Sequence, residues 1–361
     1  MHLTQLRFQN LRCFKLASFA PSVGLNFLQG PNGAGKTTVL EAMYLLSHGR
    51  SFRSGGQRAL IRSGQSGYRL RAQVSQASGQ IFDVGLLCAE SRQKAFINEL
   101  PISQLSKLLH RCVVVCFEPG SHVLISGPGD IRRHFLDWGL FHVEPTFLDV
   151  SRQYRRSLAH RNALLRSHGE DREMRVWEAV MSENADHLDT WRENYLHELE
   201  PYTQKIAFEL IPELGVCMLK YRRGWKTGTP LFDCLRDQRS QDQRLGYTRP
   251  GAHRADWRMC FATIKERNEF SRGQEKLISL IMLLAQAALH TDLLAEPVIL
   301  CVDDLNSELD PVHRHRLIQY LRGIHVQVFW TGTERPVDLP DEACVFHVEH
   351  QEIIPEQPRL G

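Results

Sequence analysis

"LNFLQGPNGAGKTTVLEAMYLL" runs from Leu25 to Leu46, and its reading decides the fold. The segment "GLNFL" at its start has the apolar character of a buried strand. Gly30 to Thr37 then satisfies GxxxxGK followed by Ser or Thr, a pattern that average residue usage produces by chance in about one chain in a hundred of this length. "KTTVLEAMYLLSHG" has helical spacing and a glycine stop. Strand, loop and helix in that order are the setting in which the pattern means a phosphate cradle. Gly30, Gly33 and Gly35 let the backbone wrap a phosphate at distances that a side chain would forbid, so that successive N–H groups point inward. Lys36 reaches the terminal phosphates as a point charge, and the Thr37 hydroxyl suits Mg²⁺. Pro31, Asn32, Ala34 and Thr38 complete the expected contact set. The residues predict binding of a nucleoside triphosphate.

Such a loop needs a strand-end acid to hold the metal. "PVILCVDDLNSELD" supplies one: the apolar run Val298 to Val302 ends in Asp303 and Asp304, as a strand buried on both faces does. Asp303 is expected to hold Mg²⁺ with Thr37, directly or through water. Asp304, next along and pointing the other way, is expected to orient and deprotonate an attacking water. Lys36, Asp303 and Asp304 are therefore the predicted catalytic set.

Loop and acidic strand lie near opposite ends of the chain, so the intervening residues must leave the nucleotide core and return. Residues from about Arg152 to Leu210 read as long amphipathic helices, with Trp177, Val180, Met181, Ala185, Leu188, Trp191, Tyr195, Leu196 and Leu199 at three- and four-residue steps. No sustained heptad repeat is visible, which argues against a long coiled coil. After Pro212 the chain turns strand-like and rich in glycine and arginine until Arg258, and is expected to re-enter the core near "MCFATI". The predicted organisation is α/β: a mixed sheet with helices over 1–125 and 262–361, interrupted by a mainly helical domain over 126–261.

The composition is that of an ordinary soluble globular chain of 361 residues. The longest apolar run, Leu277 to Leu289, is broken by Gln286 and too short to span a bilayer. The N-terminus, "MHLTQLRFQNLRCF", alternates like a strand and has no continuous apolar core of the signal-peptide kind. Nine scattered cysteines without a CxxC pair suggest neither a disulfide framework nor a zinc site. Together these features predict a cytoplasmic protein. Net charge is only +3, but its distribution is uneven. Arg50, Arg53, Arg58, Arg62, Arg69 and Arg71 fall in a stretch without carboxylates, as do Arg152, Arg155, Arg156, Arg161 and Arg166. Basic stretches in a nearly neutral chain fit either a localised polyanion-binding face or a solvated surface. Arg50 and Arg53, just after the P-loop helix, could instead touch nucleotide or a dimer interface, and Arg12 in "NLRCF" could contact phosphates or be a surface arginine at a strand end.

One more stretch poses a question. "NEFSRGQEKLISLIMLLAQAAL", Asn268 to Leu289, is an apolar helix that begins Ser-Arg-Gly-Gln-Glu. Ser271 and Gln274 fit a capping box, yet Gly273 in the first turn costs about 1 kcal/mol against alanine. A helix N-terminus approached closely by something else is an anion site.

A loop of this kind near the N-terminus, a helical insertion, a Ser-x-Gly-Gln helix start before an acidic strand and "SELD" after it resemble the ABC-type ATPase head of SMC-like DNA repair proteins. "FSRGQEK", Phe270 to Lys276, is similar to their signature motif, and Ser307 to Asp310 to their D-loop. "FEPGSHVLISGPGDIRRHFLD" (Phe117 to Asp137), "YRRSLAHRNALLR" (Tyr154 to Arg166), "PGAHRAD" (Pro250 to Asp256) and "VDDLNSELD" (Val302 to Asp310) resemble, in the same order, segments of the RecF family of bacterial recombination mediators. The resemblance covers nearly the whole chain. It implies that Ser271, Arg272, Gly273 and Gln274 face a nucleotide held by a second subunit, so that ATP with Mg²⁺ joins a homodimer. It further implies a cytoplasmic ATP-dependent DNA-binding protein at single-strand gaps and stalled forks, linked to the SOS response. With RecO and RecR such a protein helps RecA replace single-strand-binding protein. Hydrolysis is expected to be slow and to act as a reset. The arginine stretches, Arg50, Arg53, Arg58, Arg62, Arg152, Arg155 and Arg156 above all, are the DNA candidates, because a guanidinium fork binds phosphate without reading sequence.

The chain departs from the family pattern in places. Gly120 and Ser121 stand where acidic residues are usual after Phe-x-Pro. No histidine follows the strand "VQVFW", which leaves Thr331 or Thr333 for the switch position, and Asp304 replaces the glutamate of the wider superfamily. Three other readings compete. The ATPase subunit of a membrane transporter would need its loop and acidic strand closer together. A small-molecule kinase would leave the signature helix without a purpose, and a structural tether would need a long coiled coil.

Overall fold

The structure, a computed structural model, describes residues 1–90, 92–264, 269–304 and 309–356. The chain divides into two compact units, Met1–Ser121 with Leu280–Gly361, and His122–Ser279. The first unit holds two six-stranded sheets, β2-β1-β4-β5-β6-β7 and β14-β13-β3-β12-β11-β8. Strands β1 (His2–Leu11), β2 (Phe14–Phe19), β4 (Gly67–Ser75), β5 (Ile81–Ala89), β6 (Arg92–Ile97) and β7 (Leu100–Ile102) form the first. Its pairs are all antiparallel. Alternation along β4, with Tyr68, Leu70, Ala72 and Val74 buried, gives it one core face and one outer face.

The second sheet combines β3 (Leu25–Gln29), β8 (Val114–Phe117), β11 (Ile299–Val302), β12 (Gln327–Gly332), β13 (Cys344–Glu349) and β14 (Glu352–Pro355). Five strands run parallel and β14 adds an antiparallel edge. β8, β11 and β12 are buried along their whole length, the expected result of covering a parallel sheet on both faces. Helix α1 (Lys36–His48) follows β3 directly, and α2 (Leu105–Leu109) and α10 (Pro311–Gly323) are further helices of the unit. β3 lies between β12 and β13, strands drawn from the far end of the chain.

The second unit is mainly helical: α3 (Val123–Ser126), α4 (Gly129–Val143), α5 (Phe147–Ser167), α6 (Asp171–Leu210), α7 (Leu231–Asp237) and α8 (Arg239–Leu245). At 40 residues, α6 spans about 60 Å. The amphipathic stretch is thus two helices, packed along one another. The segment after Pro212 differs from expectation. Only β9 (Cys217–Arg222) and β10 (Asp256–Phe261) are strands, and α7 and α8 lie between them. Met259, Cys260 and Phe261 do not return to the head, because their backbones pair with Leu219, Met218 and Cys217. The expected boundary at 262 therefore falls at the end of β10, whereas the compact unit continues to Ser279 in the first turns of α9 (Arg272–Leu294). α9 is longer than its apolar run. It is long and apolar enough to cross a membrane (mean hydropathy 1.7), but 67% of that window is buried inside the protein, as in a core helix.

Arg161 sits in the interior of this unit and not on a basic surface. Tyr154, Ser157, Arg161 and Leu165 form the buried stripe of α5. The guanidinium donates to Glu178 Oε1 (3.1 Å), Asp242 Oδ2 and Thr248 Oγ1 (both 2.8 Å) and the Leu235 carbonyl (3.0 Å). Arg161, Glu178 and Asp242 are fully buried, so pairing is what makes their burial tolerable.

Candidate nucleotide-binding site

β3 ends at Gln29, and the chain turns through Gly30 to Gly35 into α1. A Cβ on Gly30 would lie 2.2 Å from the Val348 carbonyl oxygen, so β13 forbids a side chain there. Gly35, the N-cap of α1, has φ +111°, and a Cβ on it would meet the Phe14 ring at 2.4 Å. No side chain caps the helix, so its first-turn N–H groups and positive dipole end are left for an anion. The loop borders a cavity of about 460 Å³, whose lining includes Asn32, Gly33, Lys36, Thr37, Asp303 and Asp304.

Loop and acid strand meet directly. The Thr37 hydroxyl lies 2.9 Å from Asp303 Oδ2 and 3.1 Å from Oδ1. β12 runs between β3 and β11, which carries Thr331 to the same place. Its hydroxyl donates to Asp303 Oδ1 (2.6 Å) and accepts from the Asp304 N–H (2.9 Å). Of the two threonines considered for the switch position, Thr331 is thus the one that touches the acid pair. Asp304 has φ +48°, a left-handed conformation uncommon outside glycine, and its N–H is held by that hydroxyl. Lys36 folds back on the loop, donating to the carbonyls of Gly30 (2.7 Å) and Pro31 (3.0 Å).

The charges oppose one another. Burial pushes the Asp303 carboxyl above the usual carboxylate range, and Asp304 adds to this, while hydrogen bonds from Thr331 and Thr37 and the charge of Lys36 pull it back. Burial lowers the Lys36 ammonium, against the attraction of Asp304 and Asp303. A divalent cation beside Thr37 and Asp303 would relieve the buried carboxylate, so the donor set fits Mg²⁺. The native state holds the Asp303 proton more tightly than the unfolded chain does. This carboxyl therefore contributes stability below the ordinary carboxylate range and loses it as pH rises through its raised value. At neutral pH without metal the ionised form is a net burden. Asp303→Asn is expected to raise the thermal midpoint in EDTA by about 2 °C while lowering hydrolysis by about 100-fold or more. An unchanged or lower midpoint would refute the first half.

Arg12 and Arg53, whose roles were open in the sequence, and Glu41, which was not singled out there, also belong to this site. Arg12 and Arg53 line the cavity. The Arg12 guanidinium donates to Glu41 through Nε (2.9 Å) and a terminal nitrogen, and to the Ala59 carbonyl (2.8 Å). Glu41, on α1, is fully buried. It also accepts from the Ser51 hydroxyl and lies 3.8 Å from Arg53.

Ser271 and Gln274 form a reciprocal capping box at the start of α9: Ser271 N–H donates to Gln274 Oε1 (2.8 Å), and Gln274 N–H to Ser271 Oγ (3.3 Å). Ser271, Arg272 and Gly273 are exposed. Ser307 lies outside the described residues, and Asp310 caps α10 through the N–H groups of Val312 and His313. Glu118 closes the turn at Gly120 and Ser121, accepting from the Gly120 N–H (2.7 Å) while Ser121 Oγ accepts from its own N–H (2.9 Å). Arg50 and Arg58 are exposed and Arg62 is half-buried; Arg152, Arg155 and Arg156 are exposed on α5.

A family model described as the RecF/RecN/SMC N-terminal domain matches residues 2–345. The DNA replication and repair protein RecF of Stenotrophomonas maltophilia (strain R551-3) is 40% identical, over 98% of this chain and 99% of that protein. That of Vibrio cholerae serotype O1 is 36% identical, over 97% and 98%. Among solved structures, the recombination mediator protein RecF with ATP in the RecFOR pathway covers 99% of this chain and 98% of its own, with a TM-score of 0.89 at 22% identity. An SMC head bound to the C-winged helix domain of ScpA has a TM-score of 0.60 at 12% identity and covers 99% of this chain and 97% of its own. These structural likenesses speak to the fold, the ABC-type ATPase head with its inserted helical domain. Sequence identity over almost the full length goes further: the chain belongs to the RecF family.

Proposed function

We propose that this protein is an ATP-switched DNA clamp of recombinational repair in the cytoplasm. The observation that carries the reading is the contact between Thr37 and Asp303, 266 positions apart in sequence, at the mouth of an uncapped glycine loop. Lys36 and the N–H groups of the loop bind the phosphates, and Thr37 and Asp303 hold Mg²⁺. A divalent cation held there would supply positive charge against the triphosphate. Asp304, fixed through its N–H by Thr331, orients the attacking water and accepts its proton.

The helix start at Ser271 gives the switch its second half. Among the described residues a Cβ at Gly273 would meet nothing within 4 Å, so none of them requires that glycine. We assign it to close approach by the triphosphate held by a second copy. Two heads closed on ATP would present exposed arginines to duplex or junction DNA with little sequence preference. RecO, RecR and RecA are the partners expected of a RecF-family member, with SOS induction downstream and slow hydrolysis releasing the clamp.

DNA binding is tested through Arg155 and Arg156. Replacing both with alanine removes two phosphate contacts, which should weaken binding alike on unrelated sequences and lower the slope of log affinity against log salt by about two. ATP turnover that ignores duplex DNA at every salt concentration would sink the clamp.

A further inference from the structure

We propose that Glu41 is a positioning residue that holds Arg12 and Arg53 toward the nucleotide phosphates; this rests on the ATP reading above. Glu41 lies on the same helix as Lys36 and Thr37, a little over one turn further along, and it is fully buried. A buried carboxylate needs partners, and all those shown come from segments outside its helix. Arg12 arrives from the turn between β1 and β2. Its own backbone is in the left-handed region (φ +52°) and its N–H is bonded to the Leu60 carbonyl at 2.7 Å. Ser51, which follows α1, donates its hydroxyl to Glu41 and accepts from the Arg53 N–H at 2.8 Å. One carboxylate thereby ties two cavity-lining arginines to the helix that begins at the phosphate loop.

The donor arithmetic favours an anion as the ligand of Arg12. A guanidinium has five N–H donors in a fixed plane. Two are taken by Glu41 and one by the Ala59 carbonyl. Two remain, one on each terminal nitrogen, in a guanidinium plane that the other three have fixed, on a side chain that borders the cavity. Pre-organisation of this kind raises affinity because the arginine's rotamer freedom is already lost before ligand arrives. Arg53 is 46% exposed and 3.8 Å from Glu41, free to close onto a phosphate while its backbone is held by Ser51.

ATP binding to the full chain, measured by calorimetry for Glu41→Gln, Arg12→Ala and the double variant, tests this, with Lys36→Met as the blank. The glutamine keeps size and shape but loses the charge that fixes the guanidinium plane. Glu41→Gln is expected to weaken ATP binding about tenfold, and to add nothing further in the Arg12→Ala background except the small share carried by Arg53. Melting each variant alone separates orientation from damage: a positioning role predicts that the loss of affinity disappears with Arg12 while the loss of stability does not. Wild-type affinity in Glu41→Gln, or the same loss in both backgrounds, overturns the proposal. Wild-type protein no better than Lys36→Met overturns the ATP reading itself, and this one with it.

Discussion

Lys36→Met and Ser271→Arg, each inactive alone, are expected to recover about a quarter of wild-type ATP turnover when mixed in equal amounts. Lys36 is 7% exposed and its ammonium is at the loop, so methionine keeps the packing and removes the charge that meets the phosphates. The loss should be about 100-fold or more. Ser271 is exposed and, among the described residues, binds its own helix start. Arginine there should leave the fold intact but project into any partner that approaches Gly273. If the site is composite, random pairing puts half of the dimers in mixed form, and each mixed dimer has one site built from an intact loop and an intact signature. Turnover by the mixture no greater than the sum of its parts would show that the signature does not act across subunits. The glycine at 273 would then need another explanation.

The second large effect concerns stability. Arg161→Met should destabilise the 122–279 unit by about 3–5 kcal/mol, because it leaves Glu178 and Asp242 charged and buried with one partner fewer. Arg239 still reaches Glu178, and Arg249 lies 3.4 Å from Asp242, so neither acid is abandoned entirely. Arg155→Ala and Arg156→Ala, exposed on the same helix, should stay within about 0.5 kcal/mol of wild type. Urea unfolding followed by near-UV circular dichroism reads both. Equal effects at the three positions would mean that the buried network carries no stability.

Those three arginines also mark how much was legible. In sequence they form one basic stretch, and net charge cannot separate them. Helical phase can: Ser151, Tyr154, Ser157, Arg161 and Leu165 recur at three- and four-residue steps, so Arg161 stands at a core position and its neighbours do not. The same signal was present at Glu41, an acid inside the otherwise apolar run from Val39 to Leu46. The phosphate loop and the acidic strand were legible because both depend on local pattern. The seven-residue helices α7 and α8 were not, being too short for periodicity to register, although Pro230 and Gly246 flank them. Thr331 could be narrowed to one of two but not chosen. Its contact with Asp303 depends on β12 lying between β3 and β11, and strand order in a parallel sheet is set by long-range pairing that no local pattern records.

During synthesis β3 must wait for both of its neighbours. The strand that leads into the phosphate loop is made before every other strand of its sheet, yet the Asn26 amide reaches the Val328 carbonyl, 302 residues later, and β13 must then close its other edge. Until both strands have left the ribosome, β3 has no neighbours in its sheet and its apolar residues have no finished core. The 122–279 segment is complete well before then and contains its own buried network. A nascent chain would therefore carry an open, aggregation-prone beginning for most of its translation, joined late by a folded middle. Premature stop codons between Leu280 and β12 should yield protein with an ordered helical domain and no capacity to bind nucleotide.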